Sequence, residues 1–477
     1  MFIERPDAMA MLQGYLDAVC ASRSGQILAM RGRRQAGKSA AIEHFCEQSG
    51  VPYVFATGIQ RAPIQVQMDD FASAVHQSHQ PLPNAGLLFG SAPTSWRDCF
   101  GLLEAIAQEG PIIVVLDEFP WMAAGDVTLE GSLQAAWDRH LEQLPILLIL
   151  VGSDVTMMQR LSAYDRPLFG RLREIIFSPL NPAEIAGAAN HWTAADVIDA
   201  YLVTGGFPRL VTDMIKSGTL PVPFVRQALL DPLSSLVATG GLVLNAELPD
   251  ASVTAAILAA IGANDLGRAR FSDITPPASS PNEINAAKTA TTTALKVLSG
   301  PKRLIEMEVP AWADDASRLR RYRVTDPYLR FWFRYVQRYA SVIERGRADL
   351  AIDHFDRDWT SWRGYSVEPL VRESLLRLGA VRKELSSIEQ ISPWWTRDGQ
   401  TEVDVVAMSR VETVFVGTIK WRQKQGVTAR DMKALADDAR LVPKSTDCQL
   451  AAVCRQGDRP QGADLLFTAD DIVQAWG

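Results

Sequence analysis

The chain has few of the residues and patterns that mark secreted, metal-stapled or membrane proteins. Its five cysteines, Cys20, Cys46, Cys99, Cys448 and Cys454, form no CxxC pair. An odd, scattered set in a chain of 477 residues argues against a disulfide framework and against a zinc site. No apolar stretch reaches the ~18–20 residues that a spanning helix needs. The longest, PILLILVG from Pro145, has the length of a buried strand. The N-terminal MFIERPDAMAML carries acids and a proline where a secretion signal has a basic start and an apolar run, so no signal peptide is expected. An excess of positive charge is absent too. Lys and Arg number 48 against 55 Asp and Glu, for a net charge of -7. Any contact with nucleic acid therefore needs a local basic patch. These absences leave a cytoplasmic globular protein without a membrane partner as the expectation. Its 47% hydrophobic and 22% charged residues are ordinary for that class, and its length suggests about three domains.

Residues 1–180 alternate short apolar runs with longer amphipathic stretches. The runs QILAM (26–30), PYVFA (52–56), PIIVVL (111–116), PILLILV (145–151) and REIIF (173–177) are continuous rather than alternating, which predicts strands buried on both faces. Helical patterns such as TSWRDCFGLLEAIAQEG separate them, so the expected fold class is α/β with a parallel sheet. From about Asn181 the pattern turns helical and predicts a small cap. GPKRLIEMEVP and SRLRRYRVTD read as a strand pair. After about Thr360 a helix, VEPLVRESLLRLG, precedes strand-like runs at TEVDVVAMS, TVFVGTIKW and CQLAAVC.

Gly32-Arg33-Arg34-Gln35-Ala36-Gly37-Lys38-Ser39, followed by Ala40, fits G-x-x-x-x-G-K-[ST] between a predicted strand and a predicted helix. Glycines let backbone N–H groups curl around phosphates. Lys38 would neutralise the β and γ charges, Ser39 would offer a hydroxyl to Mg²⁺, and the helix start adds its dipole. The alternative is a glycine-rich turn. Downstream, PIIVVLDEF supplies Asp117 as a candidate Mg²⁺ ligand and Glu118 as the candidate base for the attacking water. The bland alternative is a pair of strand-end acids in solvent. Ser153, in LVGSD, is a candidate contact for the γ-phosphate or the water, with a helix N-cap at Ser153 or Asp154 as its rival. Arg171 is the preferred candidate for an arginine finger acting across a subunit interface, ahead of Arg166 and Arg173. Exposed loop arginines are the alternative.

The order FIERPDAM, GRRQAGKS, VVLDEFPWM, LVGSD, PLFGRL and TGGFPRLV resembles the archaeal-type ATPase family, a group in the STAND branch of AAA+ P-loop ATPases. The resemblance implies ATP and Mg²⁺ as cofactors. It implies a P-loop core over residues 1–180, a helical lid over 181–248 and a winged helix over 249–335. Residues 336–477 would form a restriction-endonuclease-like domain of the PD-(D/E)xK type. Phe2-Ile3-Glu4-Arg5 is similar to the family's opening box, expected near the adenine. Gly205-Gly206-Phe207-Pro208 is similar to the motif of its lid, which would sense the nucleotide; a simple helix terminus is the other reading. YRVTDPYLRFWFRYV (322–336) is similar to the motif that opens the C-terminal region.

In that region Glu368, Glu402, Asp404 and Lys420 are the candidate nuclease residues, since acids at strand ends with a lysine can bind Mg²⁺ and activate water. Thr418 stands where the family commonly has an acid, two residues before the lysine. The centre is thus either compensated by Glu402 or Glu368, or catalytically dead. Between residues 300 and 349 basic residues outnumber acids eleven to seven. Arg318, Arg320, Arg321 and Arg323 crowd the expected wing, where phosphate contacts would need such charge. The aromatic run YLRFWFRYVQRY (328–339) has helical spacing and predicts a buried helix rather than a base-stacking platform. Three functions follow: a nucleotide switch acting on DNA, a signalling or scaffold ATPase that binds a protein through the winged helix, and an ATP-licensed nuclease. A homo-oligomer is compatible with each.

Overall fold

A computed structural model describes residues 1–78, 93–248, 252–264, 268–300, 302–314 and 317–477. The expected boundary between lid and winged helix, at 249, falls outside these. Phe2–Pro179 and Leu180–Gly477 form two compact units.

In the first unit each continuous apolar run becomes a strand: β1 (Gln26–Arg31), β2 (Tyr53–Thr57), β3 (Ile112–Asp117), β4 (Ile146–Gly152) and β5 (Leu172–Ile176). They pair in parallel in the order β2-β3-β4-β1-β5. This is the α/β parallel sheet that the alternating pattern of the sequence predicts. All six residues of β3 and all seven of β4 are buried. A fully buried Leu, Ile or Val side chain stabilises by about 1.5–3 kcal/mol, so the runs are held in place from both faces. One face carries Met68, Phe71, Trp96, Phe100 and Leu103 from the helices Ile64–His76 and Trp96–Ala107. The other carries Leu12, Leu16, Ile42 and Phe45 from the helices Pro6–Ser22 and Lys38–Gln48. The order places β4 between β1, which leads into the phosphate loop, and β3, which ends in Asp117.

The second unit starts with helices Pro182–Ala188, Ala194–Thr204, Pro208–Lys216, Pro221–Leu229 and Ser235–Glu247. Capping boxes Asn181–Glu184 and Thr193–Asp196 start the first two, each cap contributing about 1 kcal/mol. Helices Ser252–Gly262, Phe271–Ile274 and Pro281–Ser299 follow. The antiparallel pair β6 (Ile305–Glu308) and β7 (Arg321–Val324) comes next, with Ala269 bridged to Tyr322. The helix Pro327–Tyr335 is buried from Tyr328 to Tyr335, its aromatics packed on Phe355 and Trp362 of the helix Asp349–Ser366. Its arginines go with them: Arg334 binds Asp358 at 2.8 Å and Arg330 donates to the Ser366 carbonyl at 3.2 Å.

The last sheet has the order β12-β11-β10-β9-β8, with β8 (Gln390–Trp395), β9 (Glu402–Met408), β10 (Thr413–Lys420), β11 (Gln449–Cys454) and β12 (Leu465–Phe467). Pairs β8–β9 and β9–β10 are antiparallel, while β10–β11 and β11–β12 are parallel. The helix Glu368–Leu378 precedes this sheet, and the helix Ala429–Ala439 crosses from β10 to β11. Strand β8 went unread in the sequence because Pro393 interrupts it. Proline is tolerated there because β8 is an edge strand with an irregular register between Ser392 and Trp394.

Candidate functional site

The phosphate loop leaves β1 and closes on itself. Gln35 and Gly37 have φ of 64° and 85°, which turns successive N–H groups inward. Gly32 answers a different constraint: a Cβ there would lie 2.1 Å from the Phe177 carbonyl oxygen. Lys38 is buried, and its Nζ donates to the carbonyls of Gly32 and Arg33 at 2.8 and 2.9 Å. Ala36 is buried, while Arg34, Gln35, Ser39 and Ala40 are exposed. The Arg34 guanidinium lies 5.5 Å from the centre of the Trp121 ring, within cation–π range.

Asp117 ends β3, and the Ser39 hydroxyl hydrogen-bonds to it. Burial pushes the Asp117 carboxyl up, as does neighbouring Glu118, while the Ser39 hydroxyl and Lys38 pull it down. A half-desolvated carboxylate touching a hydroxyl is the hard oxygen pair that Mg²⁺ prefers, so Ser39 and Asp117 fit the ion. Glu118 sits in the left-handed region, φ 49° and ψ 41°, a conformation that costs a non-glycine residue roughly 1–3 kcal/mol and clusters at functional positions. Its carboxylate accepts from the Ser153 hydroxyl at 2.7 and 2.9 Å. Asp154, not Ser153, caps the helix Val155–Leu161 by accepting from the Met157 N–H at 2.9 Å. That leaves Ser153 to face the acids, as β4's place between β1 and β3 requires.

The arginines of the loop after β4 are engaged. Arg171 holds Asp138 with two bonds of 2.6 and 2.7 Å and donates to the Pro167 and Phe169 carbonyls. Arg166 pairs with Glu130, and Arg173 is exposed on β5.

Arg5 holds a place that its motif alone did not reveal. It is buried, lies 4.0 Å from the Phe177 ring centre, and donates to the carbonyls of Ser178 (2.8 Å) and Ala36 (3.4 Å). It therefore ties the N-terminus to the phosphate loop. Phe2 stacks on His44 with ring centres 4.0 Å apart. The sequence signal for Arg5 was a single cation between Ile3 and Pro6, outside any periodic pattern.

In the second unit Gly205 and Gly206 end the helix Ala194–Thr204 with φ of 60° and 72°. A Cβ on Gly206 would lie 2.0 Å from the Leu180 carbonyl oxygen. The helix-terminus reading thus accounts for both glycines. In the same helix, buried Asp199 binds Arg363 at 2.9 Å and Arg455 at 2.7 Å, linking the helix to the C-terminal sheet.

Two of the four candidate nuclease residues, Glu368 and Glu402, meet arginines rather than an open metal site. Glu402 binds Arg268 at 2.5 Å and Arg321 at 2.8 Å. Glu368 is buried against Arg372 (3.3 Å) and Arg268 (3.6 Å). Burial, reinforced by Asp404, pushes its carboxyl up to about 7 against the pull of those arginines. Asp404 accepts from the Ile419 N–H at 2.8 Å and the Thr418 hydroxyl at 3.2 Å. Where the family pattern has an acid, Thr418 thus donates a hydrogen bond across the β9–β10 pair. Lys420 ends β10 half-buried. Glu308 completes the network with Arg372 (2.9 Å) and Arg323 (3.2 Å). Burial opposes its ionisation, but Arg323, Arg372, Arg268 and Arg321 outweigh that and hold it down at about 2. Among the described residues no group of three or more His, Cys, Asp or Glu is placed to hold a metal ion.

The same network corrects the wing. Arg321 and Arg323 are buried and committed, the first to Glu402 and the Trp395 ring, the second to Glu306 and Glu308. They are not available to phosphates, because β7 turns both into the unit's interior. Arg318 is exposed and Arg320 half-buried.

Residues 332–434 match the DUF234 family, described as "Archaea bacterial proteins of unknown function". An uncharacterized protein of Methanocaldococcus jannaschii is 23% identical over 454 residues, covering 92% of this chain and 91% of the relative. Among solved structures, a Walker-type ATPase of Pyrococcus abyssi aligns with 18% identity and a TM-score of 0.47, over 70% of this chain and 96% of that one. The ORC2 protein of Aeropyrum pernix, in ADPNP–ADP complexes, aligns with 15% identity and a TM-score of 0.42, over 74% and 94%. The family match begins inside the motif at 322–336, and its archaeal and bacterial membership agrees with the resemblance drawn from the sequence. Among the described residues no helix is long and apolar enough to cross a membrane.

Proposed function

We propose that the chain is a Mg²⁺-dependent ATPase of the STAND type, a nucleotide-controlled switch whose second unit meets DNA without cutting it. The observation that carries this reading is the convergence of Lys38, Ser39, Asp117, Glu118 and Ser153 at the ends of three adjacent strands. The loop N–H groups from Gly32 to Ala40 would cradle the phosphates, and Lys38 would exchange its two carbonyl partners for phosphate oxygens. Ser39 and Asp117 would hold Mg²⁺, which supplies charge neutralisation at the phosphates. Glu118 orients the attacking water and accepts its proton. Ser153 holds Glu118 until nucleotide arrives, which favours slow hydrolysis under partner or oligomer control. Arg171 would serve as a finger for a neighbouring copy only after leaving Asp138.

The C-terminal sheet is read as a nuclease-like scaffold without nuclease activity. Arg268 faces Glu368, Glu402, Glu308 and Asp404, so a fixed guanidinium supplies the positive charge that a cation would bring. DNA contact rests on Arg318 and Arg320, since Arg321 and Arg323 are buried. Their burial also favours a second reading, a scaffold ATPase that binds a protein through the winged helix.

Equilibrium binding of ATP with Mg²⁺ tests the first unit. Lys38→Ala should weaken it by about 100-fold or more, and unchanged affinity would remove the phosphate-loop assignment. Duplex DNA binding across a salt series tests the second. Arg318→Gln with Arg320→Gln should flatten the slope by up to about two phosphate contacts, and an unaltered slope would favour the protein partner.

A further inference from the structure

A cavity of about 740 Å³ opens where the helix Pro281–Ser299, the chain leading into β7, the Arg270–Ser272 turn and the end of β8 meet. Its size suits a ligand of a few hundred daltons. Its lining is charged with one sign. Arg270, Lys296, Arg318, Arg320, Arg321 and Arg397 all face it, and among the described residues no Asp or Glu does. In a chain of net charge -7 such a concentration is local. Arg321 is neutralised by Glu402. Arg270, Lys296, Arg318 and Arg397 are exposed and have no carboxylate partner for their side chains among the described residues. Four such cations around one concavity repel each other, and an anion entering it would relieve that repulsion.

The rest of the wall narrows the anion's kind. Phe271, Leu295, Met307 and Leu319 supply an apolar patch, and Ser272, Thr292 and Ser317 supply hydroxyls. A bare inorganic anion would leave the apolar patch unused. A duplex presents a surface too broad to enter a concavity of this volume.

We infer that this cavity binds a nucleotide unit carrying two or more negative charges, with its phosphates on the arginines and its base on the apolar patch. Two sources share that chemistry: a free nucleotide, and the 5′-phosphorylated end of a nucleic-acid strand. The inference is independent of the phosphate loop, which lies in the other unit. It shares Arg318 and Arg320 with the proposed DNA contact, but needs no duplex binding.

The test uses the full chain carrying Lys38→Ala, which suppresses the phosphate loop. ADP probes the free nucleotide, a 5′-phosphorylated four-nucleotide DNA strand probes the strand end, and adenosine is the uncharged control. At low salt, ADP or the strand should bind saturably with one site per chain, and adenosine should not. Adding Lys296→Glu, Arg318→Glu and Arg397→Glu should weaken that binding by about 100-fold or more, since like charges at a binding surface oppose it by several kcal/mol. All three side chains are exposed, so the thermal midpoint should stay within a few degrees. If it does not, the three Gln substitutions replace the Glu set and should weaken binding in the same direction. ADP alone identifies a free nucleotide, and the strand alone identifies a strand end. Binding by neither, binding that survives charge removal in folded protein, or adenosine binding as well as ADP would each overturn the inference. Absence of duplex DNA binding in protein with its wing arginines intact, with ADP binding present, would fault the DNA reading and spare this one.

Discussion

Two clusters of carboxylates lie at the ends of strands and helices in this molecule, and their companions differ. Asp117 and Glu118 stand beside two hydroxyls, Ser39 and Ser153, and one lysine, Lys38, that donates to the backbone carbonyls of Gly32 and Arg33. Glu368, Glu402 and Glu308 stand beside Arg268, Arg321, Arg323 and Arg372 at 2.5–3.6 Å. A hydroxyl adds no charge and leaves a carboxylate able to bind a cation. A guanidinium satisfies the carboxylate permanently and carries its charge into the fold. The same residue type therefore does chemistry in one unit and holds the other together.

The largest expected effect breaks the first cluster. Glu118→Gln should lower ATP turnover by about 10²–10⁴-fold while ATP affinity stays close to wild type; steady-state kinetics beside equilibrium binding checks it. Equal loss of both would mean that Glu118 shapes the pocket instead.

Breaking the second cluster should appear in stability. Arg268→Met leaves Glu402 with Arg321 and buried Glu368 with Arg372 as their remaining guanidinium partners, and should destabilise by up to about 3 kcal/mol in urea denaturation. Adding Glu402→Gln should recover part of that loss. Additive losses would mean that the two residues are not coupled.

The pH dependence sharpens the contrast inside the second cluster. The Glu368 carboxyl rises from 4.5 to about 7 on folding. The stability it lends is full below 4.5 and fades as pH climbs through about 7, by up to about 3 kcal/mol. Glu308 has the opposite sign. Its carboxyl falls from 4.5 to about 2, so its contribution is present above 4.5 and fades as pH drops toward 2. Denaturant midpoints between pH 4.5 and 8 should decline in wild type more than in Glu368→Gln. Parallel profiles would show that Glu368 does not titrate on its own in this range.

Ser153→Ala should have the smallest effect, about 1 kcal/mol of stability from one lost hydrogen bond. If Ser153 restrains Glu118, turnover should rise or hold; a collapse in turnover would make Ser153 a direct contact of the reaction.

The first cluster was legible in the sequence because its parts are local. Strand, loop, lysine and helix lie within 26–48, and LDEF ends an unbroken apolar run. The second was legible only as acids. Arg268 and Arg321 reach Glu402, and Arg372 reaches Glu308, from distant segments that no period brings together; only Glu368 and Arg372 share a helical i,i+4 spacing. The wing failed for the same reason. RLRRYR shows four arginines, but only Arg321 and Arg323 lie in β7, whose packing buries both, while Arg318 and Arg320 precede it. Thr418 was visible as a departure from the family pattern, and its position opposite Asp404 gives that departure its physical form.

Binding of Mn²⁺, as a stand-in for Mg²⁺, tests the contrast most directly. With a non-hydrolysable ATP analogue, wild type should bind one Mn²⁺ per chain, and Asp117→Ala should lose it. Without nucleotide, neither protein should bind Mn²⁺ tightly. A tight, nucleotide-independent Mn²⁺ that disappears in Asp404→Ala would contradict the account, because the C-terminal acids would then form a metal centre after all.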